Sequence, residues 1–204
     1  MYARKWDRLA AVGVMAVAFT AGTAESTSAG STSMATLGST SQPIGHFNFC
    51  KRNPAECSIK SSATLPEQMT DGFRQRLSEV NTAVNAAVKP MEDIDIFGKE
   101  EVWTYPDQYG DCEDYVLEKR RTLAKDGIPL SNLLITVVRQ ANGAGHAVLT
   151  VRTDAGDFVL DNLNQDVLPW NHTGYYYVKR QSAGNTGKWV SIQHGDAPLV
   201  GSVH

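Results

Sequence analysis

The sequence predicts an α+β domain, with helices in its first half and an antiparallel sheet in its second. Three observations predict it. Between residues 65 and 125 apolar residues recur at helical spacing, whereas beyond residue 130 they gather in short runs divided by turn residues. The connections between those runs are too short for crossover helices, which leaves antiparallel pairing. Past residue 43 there is neither an internal repeat nor a long linker, so one core is expected.

The elements follow in order. Arg4, Lys5 and Arg8 precede an uncharged run of about thirteen residues, 9–21, and Gly22, Thr23 and Ala24 follow it. A basic start, a short apolar run and a small-residue exit describe a secretory signal peptide over residues 1–24, cleaved near Ala24. The run is shorter than the ~20 residues of a membrane span, which weighs against the alternative of an uncleaved anchor. Residues 25–42, rich in Ser, Thr, Ala and Gly, read as a flexible leader, and 43–204 as the domain. A periplasmic or secreted location is the expectation.

Within the domain, Phe73, Leu77, Val80, Val84 and Val88 give residues 65–88 one apolar helical face, stopped at Pro90. Residues 93–110 read as irregular, with Trp103 and Tyr105 as packing anchors. A helix is expected from Cys112 to about Lys125, with Asp111 at its cap, Val116, Leu123 and Ala124 toward the core, and Gly127 and Pro129 at its end. Strands are expected at 133–138, 146–151, 158–163, 175–179 and 189–192, with turns at 142–145 and 154–157.

The net charge of −3 excludes a general nucleic-acid binder. Of three cysteines, Cys50 and Cys57 enclose a short loop holding Pro54, and in an exported chain they are expected to form a disulfide. Cys112 is then an unpaired thiol at a helix start, where backbone N–H groups and the helix dipole favour a thiolate. Its own N–H could serve as an oxyanion donor, and Gln108, four residues before, reads as a surface amide with a weaker claim to that role.

A nucleophile needs a base. His46 lies near the leader, His172 in a loop, and His194 and His204 in the polar tail; His146 alone opens a core strand, after Gly-Ala-Gly. The competing view of His146 is a half-buried sheet histidine. Asp161 is a charge inside an apolar strand, and buried carboxylates are normally paired. A two-residue turn at Asp154 and Ala155 would set Asp161 opposite Val148, a diagonal neighbour of His146 on the same face. A three-residue turn would reverse the parity and make Asn162 the fallback partner. The acids beside the thiol, Asp111, Glu113 and Asp114, raise its pKa unless something offsets them. They are either a cap and first-turn acids, or Asp111 and Glu113 hold a Ca²⁺ ion. The acidic segment 93–95 is a further oxygen source or a solvated turn.

The segments GDCEDYVLEKR, GHAVLTVRT and GDFVLDNLNQDV, with FC…P..C, the tryptophan ahead of the cysteine and the closing Lys179, Arg180, Gln181 and Trp189, resemble the bacterial transglutaminase-like cysteine proteinases over most of residues 45–192. This group includes the LapG-type periplasmic proteases. The resemblance implies a papain/transglutaminase-like fold with Cys112, His146 and Asp161 as the triad and Ca²⁺ beside the cysteine. It also implies a surface adhesin as protein substrate and a membrane receptor, responsive to cyclic di-GMP, that holds the enzyme inactive. The expected function is a secreted cysteine peptidase working through an acyl-enzyme. The alternatives are acyl transfer to an amine, on the same triad, and a non-catalytic Ca²⁺-dependent binding module. A binding module has no need of a free thiol.

Overall fold

In the computed structural model, Met1, residues 32–61 and residues 65–193 are described. The signal peptide expected over 1–24, apart from Met1, lies outside them, as do the first part of the leader, His194 and His204. Among the described residues no helix is long and apolar enough to cross a membrane.

The leader expected to reach residue 42 does not do so. Thr36–Thr40 form β1, antiparallel to the last strand. Its side chains are mostly exposed and polar, so composition reads as linker while backbone pairing makes a strand. Just before it, Met34 is buried, and its N–H donates to the Asp157 carboxylate at 2.8 Å.

Two short helices follow, α1 (Ile44–Arg52) and α2 (Pro54–Cys57), tied together by the Cys50–Cys57 disulfide. A Cβ on Gly45 would stand 2.2 Å from the Trp103 indole, so only glycine lets α1 lie on that ring. Helix α3 runs Asp71–Ala87. It starts later than the expected 65 because Thr70 caps it, accepting the Phe73 N–H at 3.1 Å, while Glu67 instead bridges to Thr153. Its apolar face is the expected one: Leu77, Val80 and Val84 are buried, with Val88 just beyond. Burial of each such side chain contributes about 1.5–3 kcal/mol.

Lys89–Pro90 (β2) pairs in parallel with Tyr109–Gly110 (β3). The segment between, expected to be irregular, holds a short helix, α4 (Asp93–Phe97), ended by Gly98 at φ 69°. Helix α5 spans Cys112–Lys125, the expected bounds, and buries Val116, Leu117 and Leu123. Then come β4 (Leu133–Arg139), β5 (Gly145–Thr153), β6 (Gly156–Leu160), β7 (Leu168–Pro169), β8 (Tyr176–Ser182) and β9 (Asn185–Ile192). They and β1 form one seven-stranded antiparallel sheet in the order β1-β9-β8-β4-β5-β6-β7.

Alternation along the strands divides the core. Leu133, Ile135, Ala147, Leu149, Val151 and Leu160 pack with α3 and α5; Val138, Val148, Val159 and Tyr177 form a smaller cluster with Met34 and Ile192. The fold is therefore α+β, helices packed on an antiparallel sheet.

Candidate active site

The site forms where the start of α5 meets the start of β5. Cys112 is the first residue of α5. The chain enters through Gly110, where a Cβ would stand 2.8 Å from Asp114 Cβ. Asp114 is more than a first-turn acid: it is fully buried, and its Oδ1 accepts the Thr104 N–H at 2.8 Å, bracing the loop that carries Trp103 against the helix start. Burial pushes its carboxyl up to about 8. Asp111 occupies the cap position but makes no side-chain cap bond, a departure from the expected role.

The Cys112 thiol donates to Glu113 Oε2 at 2.9 Å. Burial, then the charge and hydrogen bond of Glu113, push it well above the ordinary thiol value, while the Ala147 backbone works the other way. His146, near the start of β5, is buried and shares with Cys112 the wall of a cavity of about 560 Å³.

Its partner is fixed by register. The β5–β6 hairpin pairs Thr153 with Gly156 and Leu149 with Leu160 across the two-residue turn. Gly156 makes this turn at φ 114°, with Thr32 O so close that a Cβ would lie 2.3 Å from it. The same parity sets Asp161 on the His146 face, and His146 Nε2 meets Asp161 Oδ1 at 2.8 Å. The strand expected to run to 163 ends at Leu160, one residue before this carboxylate. Asp161 also accepts the Tyr175 O–H at 2.6 Å and the Leu163 N–H at 3.0 Å. Burial drives its carboxyl up, but the bonds from His146, Tyr175 and Leu163 together outweigh burial and hold it below the ordinary carboxylate value. An ionised carboxylate only accepts, so Nε2 carries the proton and Nδ1 is the ring nitrogen left to act as a base. Tyr175 also packs beside the imidazole, ring centroids 5.5 Å apart.

The other candidates stand elsewhere. Asn162, the fallback partner, lines the cavity without bonding His146, and its Oδ1 is buried without a partner. Gln108 is exposed and outside the cavity lining. His46 is buried under Trp103 and Trp189 rather than near a loose leader; Trp189 Nε1 donates to its Nδ1 at 3.2 Å. Burial, then Arg120, pull it down to about 4. Its grouping with Cys50 and Cys57 is structural, since the disulfide takes both sulfurs.

The acids beside Cys112 cluster with Asp93, from the segment expected to be a further oxygen source or a solvated turn. Oxygens of Asp93, Asp111 and Glu113 lie within 4.8 Å of one another. Asp93, at the start of α4, is buried; its Oδ2 accepts the Val102 N–H, and its Oδ1 has no partner, like Asp111 Oδ1. Burial, then the charges of Glu113 and Asp93, push Asp111 up to about 8; burial likewise raises Glu113 to about 7. Three crowded carboxylates, two of them with an unpartnered buried oxygen, are the donor set that a hard, oxygen-seeking dication takes, so the residues present fit Ca²⁺. Beside them Glu101, at φ 59°, lines the same cavity and accepts from Trp103 Nε1 at 3.2 Å.

Two further residues went unread in the sequence. Tyr175, expected to open a strand, stands one residue before β8, and its aromatic run gives no sign of which ring reaches Asp161. Lys119 looks like an exposed helical lysine, yet it is fully buried, its Nζ without a hydrogen bond and 5.8 Å from the Tyr115 ring centroid, brought down to about 7 by burial, with the Asp161 charge opposing.

No curated protein matches the chain. Among solved structures, calcium-bound Legionella pneumophila LapG is similar at 25% identity and a TM-score of 0.51, over 65% of this chain and 76% of that one. A second structure of Legionella pneumophila LapG matches at 26% identity and a TM-score of 0.49, over 61% of this chain and 69% of that one. The model of the bacterial transglutaminase-like cysteine proteinases matches residues 36–197, the stretch from β1 to just past β9. The chain belongs to the bacterial transglutaminase-like cysteine proteinase family.

Proposed function

We propose that this cysteine proteinase cleaves a protein substrate through Cys112 as nucleophile, His146 as general base and acid, and Asp161 as the group that orients the imidazole. The observation that carries the proposal is the buried 2.8 Å contact of His146 with Asp161, opening on the cavity that also holds the thiol at the start of α5. In this reading His146 Nδ1 takes the thiol proton and the sulfur attacks the scissile carbonyl. The developing oxyanion is met by backbone N–H groups at the helix start. His146 then protonates the leaving amine, and water, activated by the same imidazole, releases the acyl-enzyme. Asp161 stays ionised throughout and stabilises the imidazolium.

Asp93, Asp111 and Glu113 would hold Ca²⁺; the calcium-bound form of the LapG structure supports this. When bound, the ion supplies positive charge that offsets the carboxylates and restores thiolate character to Cys112. The chain's own part is to gather those carboxylates within reach of the thiol and to keep water from them. Export to the periplasm, on the signal-peptide pattern of residues 1–24, and a surface adhesin as substrate with an inner-membrane receptor as regulator, on the sequence resemblance, complete the proposal.

In the calcium-loaded protein, iodoacetamide is expected to label Cys112 near neutral pH at least about tenfold faster than in His146→Ala, one pKa unit of lost thiolate being a factor of ten. Equal rates in the two proteins would remove His146 as the base.

A further inference from the structure

The structure points to a positioning residue outside the triad: we propose that Asn81, on helix α3, holds the Asp161 carboxylate in place by clamping the backbone of residues 161–165, with Asn85 as its second arm. The inference rests on the triad reading above. The ladder between β5 and β6 stops at Leu149 and Leu160, so the N–H and C=O of Asp161 have no strand to bind them. Buried backbone groups need partners, and α3 supplies both. Asn81 Oδ1 accepts the Asp161 N–H at 3.1 Å, and Asn85 Nδ2 donates to the Asp161 carbonyl at 2.9 Å. The same Asn81 amide donates to the carbonyls of Asn164, at 2.9 Å, and Gln165, at 3.0 Å. One fully buried amide thus makes three hydrogen bonds, all to one short segment.

The two asparagines stand four apart on the helix, so they present one polar strip within an otherwise apolar face. Filling the core would not require this. A leucine would fill the space and join Leu77, Val80 and Val84. What the amide adds is a fixed location for the residue just past a strand end, where a carboxylate must meet an imidazole within a few tenths of an ångström. The clamped segment also carries Asn162 and Leu163, which form part of the cavity wall. The titratable groups that face Asp161 are His146 from β5, Tyr175 ahead of β8, Tyr177 within it and Lys119 from α5. None of them contacts Asn81 in a way that would let the amide act on the thiol directly, so its influence runs through Asp161.

The test is the rate of Cys112 alkylation by iodoacetamide across pH, in excess calcium, for wild type, Asn81→Leu, Asn85→Ala and Asp161→Asn. Asn81→Leu is expected to slow alkylation about tenfold near neutral pH and to leave the alkaline plateau, where the thiol is ionised without help, unchanged. Asn85→Ala should do the same by a smaller factor, and it carries the test if Asn81→Leu fails to fold. If Asp161→Asn slows the neutral rate while both asparagine variants follow the wild-type profile, the clamp is overturned and the triad stands. Faster labelling at every pH in the asparagine variants would also overturn it, because that is the mark of a loosened core. An Asp161→Asn profile identical to wild type would overturn the triad reading, and the clamp with it.

Discussion

Asp161→Asn is expected to lower kcat by about 10³-fold or more, with KM little changed. The carboxylate accepts three hydrogen bonds, from His146 Nε2, Tyr175 O–H and the Leu163 N–H. An amide of the same shape has one accepting oxygen and one donating nitrogen. If its oxygen faces His146 and Leu163, its NH₂ group meets Tyr175, and the imidazolium loses its counter-charge. If its NH₂ group faces His146, the ring takes the other tautomer, and Nδ1 carries a proton where the thiol needs a base. Either arrangement hits the step in which His146 becomes charged, so the loss belongs in kcat. Tyr175→Phe removes one hydrogen bond to a charged acceptor and should cost about 10- to 150-fold, the equivalent of the ~1.5–3 kcal/mol of such a bond. Steady-state kinetics on a peptide cut by the wild type checks both. A kcat for Asp161→Asn within a few-fold of wild type would show that Asp161 does not orient the base.

The second large effect is on stability. With no metal bound, the folded protein should lose stability as pH rises from about 4 to about 8. Asp111 and Asp114 have an ordinary value of 3.8, and Glu113 of 4.5; in the fold they are raised to about 8, 8 and 7, each by burial first. A carboxyl raised by folding binds more protons in the native than in the unfolded state across that window, so unfolding free energy falls as pH climbs through it. Calcium held as proposed by Asp93, Asp111 and Glu113 would reverse this by taking the ionised form. Thermal unfolding in chelator should therefore show a lower Tm at pH 8 than at pH 5, and added calcium should raise Tm much more at the higher pH. Asp93→Asn or Asp111→Asn should raise the metal-free Tm at pH 8 and blunt the response to calcium. A Tm that does not move with calcium at either pH would leave these acids a purely structural cluster.

How much of this was legible beforehand depends on whether a feature is local. The bounds of α5 and the apolar face of α3 were written in short-range patterns, whereas the hairpin parity stood open between a two-residue and a three-residue turn, which only the observed pairing decides. That parity is what delivers Asp161 to His146. The misses are of another kind. β1 has the composition of a linker, and only pairing with β9, about 150 residues away, makes it a strand. Asp93 stood between a further oxygen source and a solvated turn, because nothing local says that α4 folds back beside the start of α5. Tyr175 and Asn81 bond Asp161 from 14 and 80 residues away, and Lys119 is buried where it feels the Asp161 charge. Asp111 fits a capping pattern, yet its side chain makes no cap bond and shares a crowded pocket with two other acids. In each case the chemistry of the residue was visible and its partner was not.

The central proposal is that Cys112 cuts peptide bonds with the help of His146. It is tested most directly by incubating the purified chain, in calcium, with surface proteins of its own cells and sequencing the new N-termini by mass spectrometry. Wild type is expected to create a small set of new free N-termini that are missing with Cys112→Ala and strongly reduced with His146→Ala. No new N-termini from the wild type, or the same set from Cys112→Ala, would contradict it.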